Sequence, residues 1–383
     1  MNHCRPSASW LVALAVGFSG CAPAGQNPDG PDLRAEVVAP GDPDQPGPYA
    51  VGITTILLHG VEDQRDIPVE VWYPAAADAG AGLETTSYDV FGVQLAASGY
   101  RDVAPDPTAP SFLIAFSHGL GGVRIQNYSM AERLASFGFI VVAPDHPGTT
   151  AQDLVLNFGS LTDPIYHRPG TVVAAVDALY GGAVEGLVPR DGGYGLIGHS
   201  LGAFTSMYVA GAALDFDAYN DACAVGDPSG VCGLVGELAP TEWQLAHMPA
   251  QDDRVKTTIL QAPAGYFALQ PSTLADMPDP FLMAGDKDDL GYKYGALPMF
   301  PLVAPGAAMA VYTDAGHDAP TDICDIPLAS ALAPDCGDGF ADPDALRAIT
   351  VRHVVAWMGA HLGGQASFEA DLAPGDGYTW ETK

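Results

Sequence analysis

"YGLIGHSLGAF", residues 194–204, sets a serine between two glycines where a short apolar run gives way to a longer one of helical character. Residues 194–197 read as a buried strand and 201–213 as a helix. The junction Gly198-His199-Ser200-Leu201-Gly202 must turn sharply, since only small residues fit on either side of so tight a bend. Such a turn lifts the Ser200 hydroxyl to the end of a sheet, where a substrate can meet it.

Outward from this stretch the chain alternates strand-like and helix-like runs. Residues 51–58 and 69–73 read as an opening pair of strands, and 112–116, 139–143, 255–261, 280–284 and 308–312 as further strands. Residues 128–137, 171–180 and 346–362 have helical spacing. Residues 75–110 read as a connection with little pattern, and 214–254 as a cap over the strand ends. Alternation of this kind predicts an α/β protein with a mostly parallel central sheet covered by helices on both faces.

In open parallel sheets the ligand site lies beyond the carboxyl ends of the strands. Four chemically loaded stretches fall there: Ser200, "SHGLGG" (117–122), "GDKDD" (285–289) and "DAGHD" (314–318). A serine hydroxyl is a poor nucleophile until a base takes its proton, and His317 is the candidate base. An acid must orient that imidazole, with Asp286, Asp288 and Asp289 all candidates. The order serine, acid, histidine is the one expected of α/β-hydrolases.

The stretch "FSHGLGGVRIQNYSMAERLASFGFIVVAPDHPG" (116–148), taken with "GHSLGA", resembles the platelet-activating-factor acetylhydrolase and dienelactone-hydrolase-like branch of the serine esterases. The resemblance implies an α/β-hydrolase fold, Ser200 as nucleophile and an oxyanion donor from His118-Gly119-Leu120. Related hydrolases commonly place the acid last in G-x-x-D, which favours Asp288 and keeps Asp286 in reserve. Backbone N–H groups of Leu120 and Leu201 are the expected oxyanion-hole pair, each worth about 3 kcal/mol of barrier.

Other readings are blander. His199 is expected to pack away from Ser200, His118 to prop its loop and His146 to be structural. Tyr128, Tyr166, Trp243 and Phe267 are read as core, with a pocket lining as the alternative. The acids at 286–289 lack EF-hand spacing. No metal and no cofactor is implied.

The 46 acidic against 15 basic residues give a formal charge of −31, which argues against a nucleic-acid partner. Residues 1–20 read as an export signal, with Arg5 ahead of an apolar core from Trp10 to Phe18 that is too short to span a bilayer. Phe18-Ser19-Gly20-Cys21 resembles a bacterial lipobox, making Cys21 the expected lipidation site and the cell envelope the expected location; ordinary cleavage near Ala24 is the alternative. Residues 21–48, rich in Pro, Gly and Asp, read as a flexible tether, 49–365 as the catalytic domain and 366–383 as an acidic tail. Cys223, Cys232, Cys324 and Cys336 form an even set in an exported chain, so disulfides are expected, with 223–232 and 324–336 preferred for their short closures.

The reading is an exported serine carboxylic ester hydrolase acting through an acyl-enzyme on short acyl, lipid-like or polymeric esters. The alternatives are a peptidase or amidase with the same triad, and a non-catalytic binding protein of the same fold.

Overall fold

The computed structural model describes residues 34–383 except 63–64, 91, 157–161, 191, 249–250, 327–329 and 331–332. The expected export signal, residues 1–20, and Cys21 lie outside the described residues. Strands β1 (Ala50–Glu62) and β2 (Arg65–Ala75) run antiparallel, β3 (Ser87–Val90) and β4 (Val93–Ala96) form a separate hairpin, and β5 (Tyr100–Arg101) pairs parallel with β1. Then come β6 (Phe112–Ser117), β7 (Phe139–Pro144), β8 (Tyr194–His199), β9 (Val255–Gln261), β10 (Pro280–Gly285), β11 (Ala308–Tyr312) and β12 (Tyr378–Thr382). The main sheet has the order β12-β11-β10-β9-β8-β6-β7-β2-β1-β5, parallel from β7 through β11.

The central strands are buried on both faces, which is why they read as unbroken apolar runs. On β6, Leu113 and Ala115 join one core layer, while Ile114 and Phe116 join the other. Helices α1 (Tyr128–Ser136), α2 (Ala151–Leu156), α3 (Thr162–Tyr180), α4 (Leu201–Val209), α5 (Phe216–Val225), α6 (Val231–Val235), α7 (Glu242–His247) and α8 (Pro343–His361) connect the strands. The first layer packs against α3 and α4 through Val172, Val176 and Met207, and the second against α1 and α8 through Leu134 and Val354.

Several expectations are corrected. Residues 75–110 are not patternless: the short β3–β4 hairpin buries Tyr88, whose hydroxyl accepts from Trp72 Nε1 at 2.7 Å and donates to Glu132 at 2.6 Å. Helix α3 begins at Thr162 and runs through Pro169, the residue that masks its periodicity. Helix α4 ends at Val209 rather than at residue 213, because Gly211 takes a left-handed φ of 130°.

Residues 366–383 are not a free tail. Phe368 is fully buried against Gly359, and β12 pairs antiparallel with β11, bringing Trp380 to 5.1 Å from Phe281. The signal was the alternation Tyr378-Thr379-Trp380, hidden by flanking acids. Nor does the packed region begin at Tyr49: Val38 is fully buried, and its N–H donates to the Gly363 carbonyl at 3.0 Å. Among the described residues, no helix is long and apolar enough to cross a membrane.

Candidate active site

Ser200 stands between β8 and α4 with φ 54° and ψ −116°, a strained conformation for a side-chain-bearing residue. Its N–H donates to the Gln261 carbonyl at 2.9 Å. The two flanking glycines are sterically required. A Cβ on Gly198 would strike the Gly202 carbonyl, and one on Gly202 would strike that of Ser117.

The loops after β10 and β11 bring an acid and a base to this turn. Nε2 of His317 lies 2.8 Å from Ser200 Oγ, and its Nδ1 lies 2.9 Å from Asp288 Oδ2. The Asp288 side chain is only 2% exposed, against 25% for His317. Its other oxygen accepts the Gly291 N–H at 2.8 Å, at the start of a wide-wound turn, Asp289–Ala296. Asp286 is exposed and accepts the Ala315 N–H at 3.3 Å instead. Asp289 pairs with Lys293 at 3.3 Å. The acids of 286–289 thus diverge to separate partners, and among the described residues no three His, Cys, Asp or Glu side chains converge as metal ligands. Burial pushes the His317 pKa down, but the hydrogen bond and charge of Asp288, helped by Asp318 and Asp335, outweigh it and leave it raised.

The glycine-rich loop after β6 carries Leu120 beside Ser200 in one cleft. The Gly119 carbonyl accepts from His118 Nδ1–H at 2.7 Å and from the Gly122 N–H at 3.1 Å. In a trans peptide the following N–H points the opposite way, so that of Leu120 is directed away from His118. Leu201 opens α4, and the first amides of a helix have no intrahelical partner. Among the described residues neither N–H has a hydrogen-bond partner.

Behind this loop lies a buried polar cluster. His118 Nε2 accepts the His146 N–H at 3.0 Å, and His146 Nε2 lies 2.8 Å from Ser117 Oγ. Arg168 donates to the His118 carbonyl, and to Thr149 and Thr205 at 2.6 and 3.0 Å. Burial, with the Arg168 charge, pushes both histidines far below the usual imidazole range, so they stay neutral. His199 is also buried, and burial drives its pKa down to about 3. Its ring contacts His317 through Nε2 and the His317 carbonyl, 2.9 Å apart. Arg168, and Gln126, which donates to His199 Nδ1 at 2.9 Å, carried no sequence signal, since a buried Arg and Gln look in sequence like surface residues.

The cleft beside Ser200 is apolar. Leu201, Phe204 and Ile165 line it together with Tyr219, Val231, Leu234, Val235 and Leu238 of the segment 214–254. Cys223 on α5 is bonded to Cys232 on α6, and Cys324 to Cys336 in the loop after His317. Two disulfides fit an exported protein. Phe267 stacks on Tyr219 at 5.6 Å, Tyr166 packs on Phe216 at 6.1 Å and Tyr128 on Tyr88 at 5.0 Å, so these rings serve the packing. Trp243 lies in α7.

Residues 93–155 match the family model "Platelet-activating factor acetylhydrolase, isoform II". No curated protein sequence matches the chain. Among solved structures, a ferulic acid esterase from Streptomyces cinnamoneus superposes with a TM-score of 0.60 at 18% identity, covering 87% of this chain and 97% of that one. The chain has the α/β-hydrolase fold, and residues 93–155, the stretch that carries the glycine-rich loop, resemble the platelet-activating-factor acetylhydrolases.

Proposed function

We propose that the protein hydrolyses carboxylic esters with an apolar acyl group, using Ser200 as nucleophile, His317 as general base and Asp288 as the orienting acid. The observation that carries this reading is the unbroken chain Ser200 Oγ, His317 Nε2, His317 Nδ1, Asp288 Oδ2, with links of 2.8 and 2.9 Å, whose serine lines an apolar cleft.

His317 takes the hydroxyl proton as Ser200 Oγ bonds to the ester carbonyl carbon. The carbonyl oxygen gains charge, which the N–H groups of Leu120 and Leu201 stabilise. The bond to the alkoxy oxygen breaks, and His317 returns the proton to that oxygen. Water then repeats the sequence on the acyl-enzyme, releasing the acid and restoring Ser200. Asp288 holds the tautomer that leaves Nε2 free to accept, and stabilises the imidazolium that forms.

Two comparisons support an ester bond as the target: the matching family is named for acetyl hydrolysis and the similar structure for ferulic acid ester cleavage. Export with lipidation at Cys21 completes the proposal, and two disulfides favour the oxidising compartment it requires. Incorporation of radiolabelled palmitate by wild type but not by Cys21→Ser tests the anchor.

The decisive experiment pairs a p-nitrophenyl ester panel with aminoacyl anilides and fluorophosphonate labelling. Ester turnover and labelling that both vanish in Ser200→Ala are expected. Labelling with anilide turnover alone makes the protein an amidase. No labelling makes it a binding protein of this fold.

A further inference from the structure

We propose that Gln126 is a positioning residue for this reaction, which through His199 sets the main chain of His317 relative to the glycine-rich loop. The proposal rests on the reading of Ser200 and His317 as nucleophile and base.

The geometry is a one-way chain of hydrogen bonds. The Gly119 N–H donates to Gln126 Oε1 at 3.1 Å. Gln126 Nε2 donates to His199 Nδ1 at 2.9 Å. His199 Nε2–H donates to the His317 carbonyl at 2.9 Å. Each assignment forces the next. A backbone N–H can only donate, so the Gln126 oxygen must face Gly119 and its amide nitrogen must face His199. Nδ1 of His199 is then the acceptor, and the proton of a neutral imidazole sits on Nε2, opposite the His317 carbonyl. Three separate segments, the glycine-rich loop, the serine turn and the base loop, are thereby tied by side chains that touch neither Ser200 Oγ nor the cleft.

The sequence clears space for this chain. A Cβ on Gly122 would collide with Gln126 Oε1, and one on Gly119 would crowd His199 Nδ1. Two glycines of "HGLGG" therefore serve the Gln126–His199 pair. Gln126 is 8% exposed, and its own carbonyl accepts the Asp322 N–H at 3.0 Å, beyond the base. Its neighbour Asn127 donates to the Pro320 carbonyl at 2.7 Å. Displacing reacting groups by about 1 Å costs on the order of a hundredfold in rate, so a side chain that fixes two of the three segments acts on kcat.

Gln126→Leu, which removes both of these bonds together with the one from Nε2 to Asn127 Oδ1 at 3.2 Å, should lower kcat about ten- to hundredfold with KM within twofold, since no substrate contact is lost. Gln126→Glu gives a readout that a packing role would not move. A carboxylate has no hydrogen for His199 Nδ1, so the chain closes only when the carboxylate and imidazole share one extra proton. The groups facing that pair are His118 behind the loop, itself beside His146 and Arg168, then His317 and Asp288 on the base side, and the main chain of Asp322 at the Gln126 carbonyl. The expected result is an added alkaline limb in the kcat profile of Gln126→Glu, absent from wild type. A Gln126→Leu enzyme with kcat within twofold of wild type overturns the proposal. So does a Gln126→Glu profile that superimposes on wild type, which decides alone if Gln126→Leu does not fold. If wild type hydrolyses no ester, or Ser200→Ala hydrolyses as fast, the reading of the site fails and this proposal falls with it.

Discussion

Asp335 Oδ2 accepts the backbone N–H of Asp318 at 2.7 Å, one residue beyond the imidazole of His317. Its carboxylate also fills the space that a Cβ on Gly316 would need. The next residue is Cys336, bonded to Cys324 twelve residues upstream. The disulfide thus closes the loop that presses a carboxylate onto the main chain carrying His317. Closing a loop of this length removes unfolded-chain entropy worth about 3 kcal/mol.

The double variant Cys324→Ser/Cys336→Ser is therefore expected to lose several degrees in Tm and a smaller share of kcat, because Asp335 retains its hydrogen bond to Asp318 with less constraint. Calorimetry beside ester hydrolysis checks this. An unchanged Tm would remove the stabilising role, and a kcat loss without loss of Tm would place the bridge in the chemistry.

In the proposed reaction, charge around His317 sets the acid limb of activity. The imidazole must be neutral to take the Ser200 proton, and its raised pKa holds that limb above the ordinary imidazole value of about 6.5. Asp335→Asn keeps an oxygen to accept the Asp318 N–H but removes a negative charge. Loss of a negative neighbour disfavours the imidazolium, so His317 loses its proton at lower pH. The acid limb of kcat/KM should move down in pH with the plateau nearly unchanged. An upward movement or a stationary limb contradicts the assignment.

Asp288→Asn is expected to lower kcat by about 10³- to 10⁴-fold, while Asp286→Asn stays within a few-fold of wild type. Only Asp288 meets Nδ1 of His317, at 2.9 Å from within the protein, whereas Asp286 accepts one backbone N–H at the surface. Comparable losses in both variants, measured by steady-state hydrolysis, would return the role to the loop as a whole.

Much of the candidate site's geometry was legible because it rests on local patterns. Gly198 and Gly202 flank Ser200 for a steric reason that sequence states directly, and Asp288 and His317 follow strands whose burial on both faces makes them continuous apolar runs. The supporting residues were not legible. Gln126 and Arg168 act from the interior, and their partners are 73 and 37 residues away in His199 and Thr205. The strand Tyr378–Thr382 was hidden for a related reason: an edge strand half-buries one face only, and its exposed Glu381, with Glu369, Asp371 and Asp376 ahead of it, resembles a tail.

The cap makes the last prediction. Val231, Leu234 and Val235 recur at helical spacing on α6 and line the cleft, and the bond from Cys232 to Cys223 fixes that face toward Ser200. An acyl chain extending from the ester carbonyl into this cleft buries about 0.8 kcal/mol per methylene, roughly fourfold in kcat/KM for each carbon until the space is filled. Wild type should therefore climb from acetyl toward longer acyl esters before levelling. Leu234 is 57% exposed at the wall of the cleft, so Leu234→Asp can place a carboxylate there without burying it in the core. That variant should lose about tenfold on the longer acyl esters, where the chain must pass a hydrated charge, and stay within threefold on acetyl esters, which do not reach it. The p-nitrophenyl series at fixed pH reads both slopes. A wild-type slope of zero would remove the acyl assignment of the cleft and leave the roles of Ser200 and His317 untouched, whereas equal losses on all chain lengths would show that α6 bears on the serine turn itself.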